Sequence, residues 1–199
     1  MSGVNQKLLY DPPNIDGYQL VGRLQIPLRR VSLIGLLTTP LWVLFFLGLT
    51  RLMGGHVHLR FDITISGALL ALFNLLLFMP ALHEAVHGIV ARAAGAHPTF
   101  GVGAGFAYTT FREPIRPLPY FLVGVAPLLV LSAIGCVVLI LRPIYPGQTL
   151  VFLVGNATGA FGDLWMLWQV PRLPRGSLIC DLADGFAYYL PATNVGDGG

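Results

Sequence analysis

The stretch His83-Glu84-Ala85-Val86-His87 closes a run, from Ile63 to Leu82, in which no residue is charged. Its reading decides the fold, because ionisable groups at the end of a membrane-length apolar run are rare and functional where they occur. On a helix, residues four apart share one face with about 5–6 Å between them, so His83 and His87 can reach one ion. Glu84 projects beside that ion. This is the His-Glu-x-x-His pattern, in which two neutral imidazoles bind zinc and the glutamate takes a proton from water. Zinc lowers the pKa of a bound water from about 15.7 to about 7, and a neighbouring carboxylate then makes it a nucleophile at neutral pH. The plainer alternative pairs Glu84 with Arg92 and leaves both histidines in the headgroup region at a helix end. It makes the spacing a coincidence.

Composition sets the surroundings of this motif. Of 199 residues, 55% are hydrophobic and 11% charged, with a mean hydropathy of +0.71. A soluble domain carries about a quarter charged residues, so the chain reads as an integral membrane protein whose first partner is the lipid bilayer. The net charge of +3 comes from 12 basic and 9 acidic residues, scattered rather than striped, which excludes nucleic-acid binding. Cys136 and Cys180 provide no disulfide framework and read as packing residues. No cleavable signal is expected, since the first thirty residues are mixed and polar, so the first apolar span acts as the insertion signal.

Residues 1–30 contain Asp11-Pro12-Pro13-Asn14 and no sustained period, and read as an irregular cytoplasmic arm with an interfacial segment around Tyr18 to Leu28. Val31 to Leu49 is uncharged and bounded by Arg29-Arg30 and Arg51, a length that suits a span of about 20 residues. His56 and His58, in the connection Gly54 to Asp62, read as solvated loop histidines. The second span begins near Ile65 and continues to about Gly95. Pro80 within it lacks an amide hydrogen and frees the Leu76 carbonyl, which predicts a kink and a hydrated pocket ahead of the motif, or a kink made for packing. Between His97 and Arg116, glycines alternate at Gly101, Gly103 and Gly105 before Phe106-Ala107-Tyr108-Thr109-Thr110-Phe111, a period-two pattern that predicts one or two short strands. A hairpin there could hold an extended substrate by strand addition.

Leu118 to Leu141 is a third uncharged span. A fourth, from about Thr149 to Gln169, contains Asn156 and a single acidic residue, Asp163, on nearly the same helical face. Gly155, Gly159 and Gly162 are expected to let this helix approach a neighbour closely. With four spans, Arg23, Arg29, Arg30, Arg92, Arg112, Arg116, Arg172 and Arg175 fall on one side, and Arg51, Arg60 and Arg142 on the other. The positive-inside rule then puts both termini in the cytoplasm of a cell-membrane protein. Spans two and four run in the same direction, which brings His83, His87 and Asp163 level. A catalytic zinc takes three protein ligands, and the candidates for the third are Asp163, Glu113, Asp181, Asp184 and His97. Asp163 is favoured because a divalent cation offsets the several kcal/mol that an unpaired carboxylate costs inside a span.

The combination of His83-Glu84-x-x-His87 in one span, a glycine-rich strand-like connection, and Asn156 with Gly162-Asp163-Leu164 two spans later resembles the site-2 protease superfamily of intramembrane zinc metalloproteases. It resembles more closely the relatives described as putative zincin peptidases. The resemblance covers roughly residues 65 to 185. It implies Zn2+ held by His83, His87 and Asp163, Glu84 as general base and acid, and Asn156 as a contact to substrate or oxyanion. Gly159 stands where that superfamily often has a proline, and Leu164 where a glycine follows the aspartate.

The expected fold is therefore an all-α integral membrane protein of about four transmembrane helices, with a short β-hairpin-like insertion between spans two and three. Three regions are expected: the arm over residues 1–30, a membrane-embedded metalloprotease-like domain over 31–185, and a flexible tail over 186–199. The expected function is hydrolysis of peptide bonds within or next to the membrane, on a protein or peptide substrate anchored there. Two alternatives stay open: a non-catalytic metal-binding scaffold, and a small ion or proton transporter using His83, His87 and Asp163 as a relay.

Overall fold

The computed structural model describes residues 11–54, 64–103, 107–141 and 145–192. Four helices in it are long and apolar enough to cross a membrane. They comprise α1 (Leu28–Leu52), α2 (Ile65–Ala93), α3 (Pro117–Ile140), and a fourth stretch, Pro146–Arg172, divided into α4 (Pro146–Gly159) and α5 (Phe161–Gln169). Large apolar side chains such as Leu37, Leu69 and Leu129 point outward, each more than half exposed. The segment with His56 and His58 lies outside the described residues.

The second helix meets Pro80 by a wider turn rather than a simple kink. Asn74–Phe78 is a π-turn in which the Met79 amide reaches back to the Asn74 carbonyl, and such turns recur near functional sites. The same asparagine is buried and ties the second helix to the fourth, its amide donating to the Gln148 carbonyl at 3.0 Å. A little over two turns further along both helices, His83 meets Asn156. The two helices are thus parallel and in register. Gly155 makes room for this crossing, since a Cβ there would stand 2.6 Å from Leu75 Cδ2. Gly159 and Gly162, expected at the same contact, have nothing within 4 Å of an added Cβ and open onto a cavity instead.

The expectation of an all-α chain needs correcting, because among the described residues five strands cap one end of the bundle. Strands β2 (Thr99–Val102) and β3 (Ala107–Thr110) form the predicted antiparallel hairpin between the second and third spans. A second sheet was not foreseen. It joins β1 (Tyr18–Gln25), β4 (Leu178–Leu182) and β5 (Gly185–Pro191) in the order β1-β5-β4, all antiparallel. The stretch read as an irregular arm and the start of the stretch read as a flexible tail are therefore partners. Strand β5 is central and largely buried, with Phe186, Ala187 and Tyr189 at 0–1% exposure. A local pattern cannot show a pairing between segments so far apart in the chain.

One core unites this sheet with the helix ends, through Ala91, Phe111, Ile115, Tyr120, Val123, Leu167, Ile179 and Phe186. Burying a side chain such as Ile179 or Phe186 contributes about 1.5–3 kcal/mol, enough to offset the ordering of a strand whose ladder is nonlocal. A separate core, with Phe46, Leu150 and Leu153, holds the far half of the helices. Cys136 and Cys180 are both buried and free, as packing residues should be.

Candidate metal centre

The histidines sit on the inward face of α2. His83 and His87 are 7% and 8% exposed, one helical turn apart, with ring centroids 4.9 Å from one another. Asp163 enters from the first turn of α5, just beyond the break at Ala160 that ends α4. Its Oδ2 lies 3.0 Å from His83 Nε2 and 3.5 Å from His87 Nε2. One ligand atom from each residue falls within 4.8 Å of the others, a group that could hold a metal ion.

The far nitrogens explain why the near ones converge. His83 Nδ1 lies 2.9 Å from Asn156 Oδ1, and His87 Nδ1 lies 2.9 Å from the Val123 carbonyl oxygen. Both partners only accept, so each Nδ1 carries the hydrogen and each neutral ring turns a lone pair on Nε2 towards Asp163. Two lone pairs and a carboxylate in a buried site repel unless a positive charge, a metal ion or a proton on a ring, sits among them. Two imidazoles and one carboxylate oxygen are the donor types that zinc takes, and oxygen partners on the far nitrogens are the usual support for metal-binding histidines. The residues present fit the ion.

The other candidates for a third ligand are engaged by other partners. Glu113 accepts hydrogen bonds from the His97 ring and amide at 3.0 and 3.1 Å, both residues lying on the surface. Partial burial raises the Glu113 carboxyl, but these bonds outweigh it and leave it below its ordinary range. Asp184 is bound by the Arg23 guanidinium at 2.7 Å and by Gln25 Nε2 at 2.9 Å, across the turn between β4 and β5. Asp181 accepts from the Tyr120 hydroxyl at 2.8 Å, and burial pushes its carboxyl up to about 8 against the pull of that bond.

Asn156 stands behind the His83 ring. It is fully buried, its Oδ1 facing His83 and its Nδ2 donating to the Pro127 carbonyl at 3.3 Å, so it holds the imidazole rather than facing the cavity. The physical reason is saturation, since both ends of the amide are already engaged inside the bundle. Glu84, by contrast, lines a cavity of about 580 Å³ together with His83, His87, Asp163, Asp181 and Tyr120. Among the described residues no ion pair links it to Arg92, which is exposed. The hairpin is pinned beside it, the Thr109 hydroxyl donating to the Glu84 main-chain carbonyl at 3.0 Å.

No side-chain pattern points to Val123, which contributes only its backbone oxygen, and little points to Tyr120, one aromatic among many apolar neighbours. Tyr120 has a faint signal in being, with Ser132, one of two hydroxyl residues in the third span, where a buried O–H needs a partner.

No curated protein and no solved structure matches the chain. A family described as "Putative zincin peptidase" matches it over residues 76–178, which takes in both histidines, Glu84 and Asp163. That match covers more than half of the chain, and the protein therefore belongs to the putative zincin peptidase family, whose name implies a zinc metallopeptidase.

Proposed function

We propose that the protein is a membrane-embedded zinc metallopeptidase of the site-2 protease type, cutting peptide bonds within or beside the bilayer. The observation that carries this is the convergence of two imidazole Nε2 atoms and one carboxylate, from two separate helices, on a point beside Glu84. Family membership and the four apolar helices agree with it.

His83, His87 and Asp163 would hold the ion. When bound, zinc supplies Lewis acidity, polarising a carbonyl and making water easier to deprotonate. Glu84 takes a proton from the attacking water on its carboxylate as the C–O bond forms, and returns it to the amide nitrogen as the C–N bond breaks. Asn156 keeps the His83 ring turned towards the site. The cavity wall formed by Ala107, Tyr108 and Thr109 of β3 offers extended backbone against which a substrate strand could pair. The substrate in this reading is a protein or peptide anchored in the membrane, and the arginine distribution supports a site at the cytoplasmic side, with both termini there.

The test is Glu84→Gln in detergent-purified protein, read by zinc content and by mass-spectrometric cleavage of a library of membrane-inserted peptides. Retained zinc with hydrolysis lowered about 10²–10⁴-fold is expected for the loss of a general base. Unchanged function in that variant would point to a scaffold, and proton or metal flux in liposomes to a transporter.

A further inference from the structure

We infer that Pro127 is a positioning residue of the metal centre, which leaves the Val123 carbonyl open to His87 and anchors Asn156 against His83. The inference rests on the metal-binding reading given above. In an α-helix the carbonyl of residue 123 accepts the amide hydrogen of residue 127. Proline has none, so within α3 the Val123 oxygen is left without its ordinary helical donor. Val123 is 5% exposed and Pro127 fully buried, where a main-chain oxygen needs a partner. His87 Nδ1, at 2.9 Å, is that partner.

The second half of the device is the carbonyl of Pro127 itself. It accepts from Asn156 Nδ2 at 3.3 Å, which decides which end of the amide turns the other way. Only Oδ1 can then face His83 Nδ1, and it does so at 2.9 Å. Position 127 in the third span thereby bears on both imidazoles: its missing amide hydrogen leaves the Val123 oxygen to His87, and its main-chain oxygen, which any residue there would supply, holds the amide that faces His83. An alanine at the same place would offer Val123 an amide hydrogen from within its own helix, in competition with His87.

Two substitutions separate the missing hydrogen from the bulk of the ring. Pro127→Ala restores the amide hydrogen. Lactic acid at position 127, introduced by nonsense suppression, has the alanine side chain but an ester oxygen in place of the N–H. Zinc affinity is measured on the full chain in detergent by competition with a chromophoric chelator, and the His87 Nδ1 resonance is followed by nitrogen-15 NMR of the zinc-loaded protein. The expected result is zinc binding about 10–100-fold weaker in Pro127→Ala, the size of effect seen when a supporting hydrogen bond is lost, with a shifted Nδ1 signal. The lactic acid variant should stay close to wild type in both readouts.

Wild-type affinity in Pro127→Ala, or equal losses in the two variants, would overturn the inference. Should the alanine variant fail to fold, the lactic acid variant decides alone: retained affinity supports the role, and lost affinity refutes it. A wild-type protein that binds zinc no better than His83→Ala would instead refute the metal centre itself, which keeps the two failures apart.

Discussion

His83 and Asp163, carried by the second and fourth long helices, meet with Nε2 and Oδ2 3.0 Å apart. The distance follows from register: Asn74 and Gln148 fix how far one helix slides along the other, and Gly155 fixes how closely they pack. A metal that uses this meeting point binds the folded chain and not the unfolded one.

Zinc should therefore stabilise the protein in proportion to its occupancy. At one hundred times its dissociation constant the gain is about 2.7 kcal/mol, read as a raised midpoint of thermal unfolding in detergent and reversed by chelation. Asp163→Ala and His83→Ala should show no such rise. Equal rises in wild type and both variants would place the ion elsewhere.

Gly159 and Gly162 offer a way to block the cavity without touching the ligands. Both line it, and neither has an atom within 4 Å of where a Cβ would stand. Gly159→Leu and Gly162→Leu should keep zinc and thermal stability while lowering peptide cleavage at least tenfold. Undiminished cleavage by both would mean that substrate does not enter here.

Gly35 and Gly48 make a matched pair within α1. A Cβ on Gly35 would lie 2.7 Å from the Thr158 main-chain oxygen, just before the break that presents Asp163, whereas Gly48 has open space. Gly35→Ala should destabilise the fold by about 1–3 kcal/mol through overpacking, since a backbone oxygen cannot swing aside. Gly48→Ala should cost nothing, alanine being the better helix former. The check is the thermal unfolding midpoint of each variant.

Asp181 predicts a pH dependence of unusual sign. Burial raises its carboxyl from 3.8 to about 8, so between those values the folded form holds a proton that the unfolded chain has released. The contribution of Asp181 to the stability of the metal-free protein should then fall as pH rises from about 4 to about 8, and level off above. Asp181→Asn still offers an oxygen to the Tyr120 hydroxyl and should flatten this slope. Identical slopes in variant and wild type would show that another group is responsible.

Some of this architecture could be read one segment at a time. The four long helices follow from uncharged runs whose length matches a bilayer, and the hairpin from alternating small and aromatic residues, because both signals are local. The His83, Glu84 and His87 arrangement is equally local, being three positions on one helix. Asp163 stood out because an acid in an apolar span needs a partner. Asn156 shares a helical face with Asp163, but its role turns on which neighbours saturate its amide.

What the sequence by itself determined is therefore the helices, their apolar faces and the identity of the chemically expensive side chains. Only the tertiary structure decided that Tyr18–Gln25 and Gly185–Pro191 pair in one sheet, with Arg23 bound to Asp184 beside it, and that Val123 and Pro127 stand behind the histidines. The physical reason is range. Length and periodicity are properties of neighbours along the chain, whereas backbone hydrogen bonds between distant segments depend on a packing that no single segment encodes.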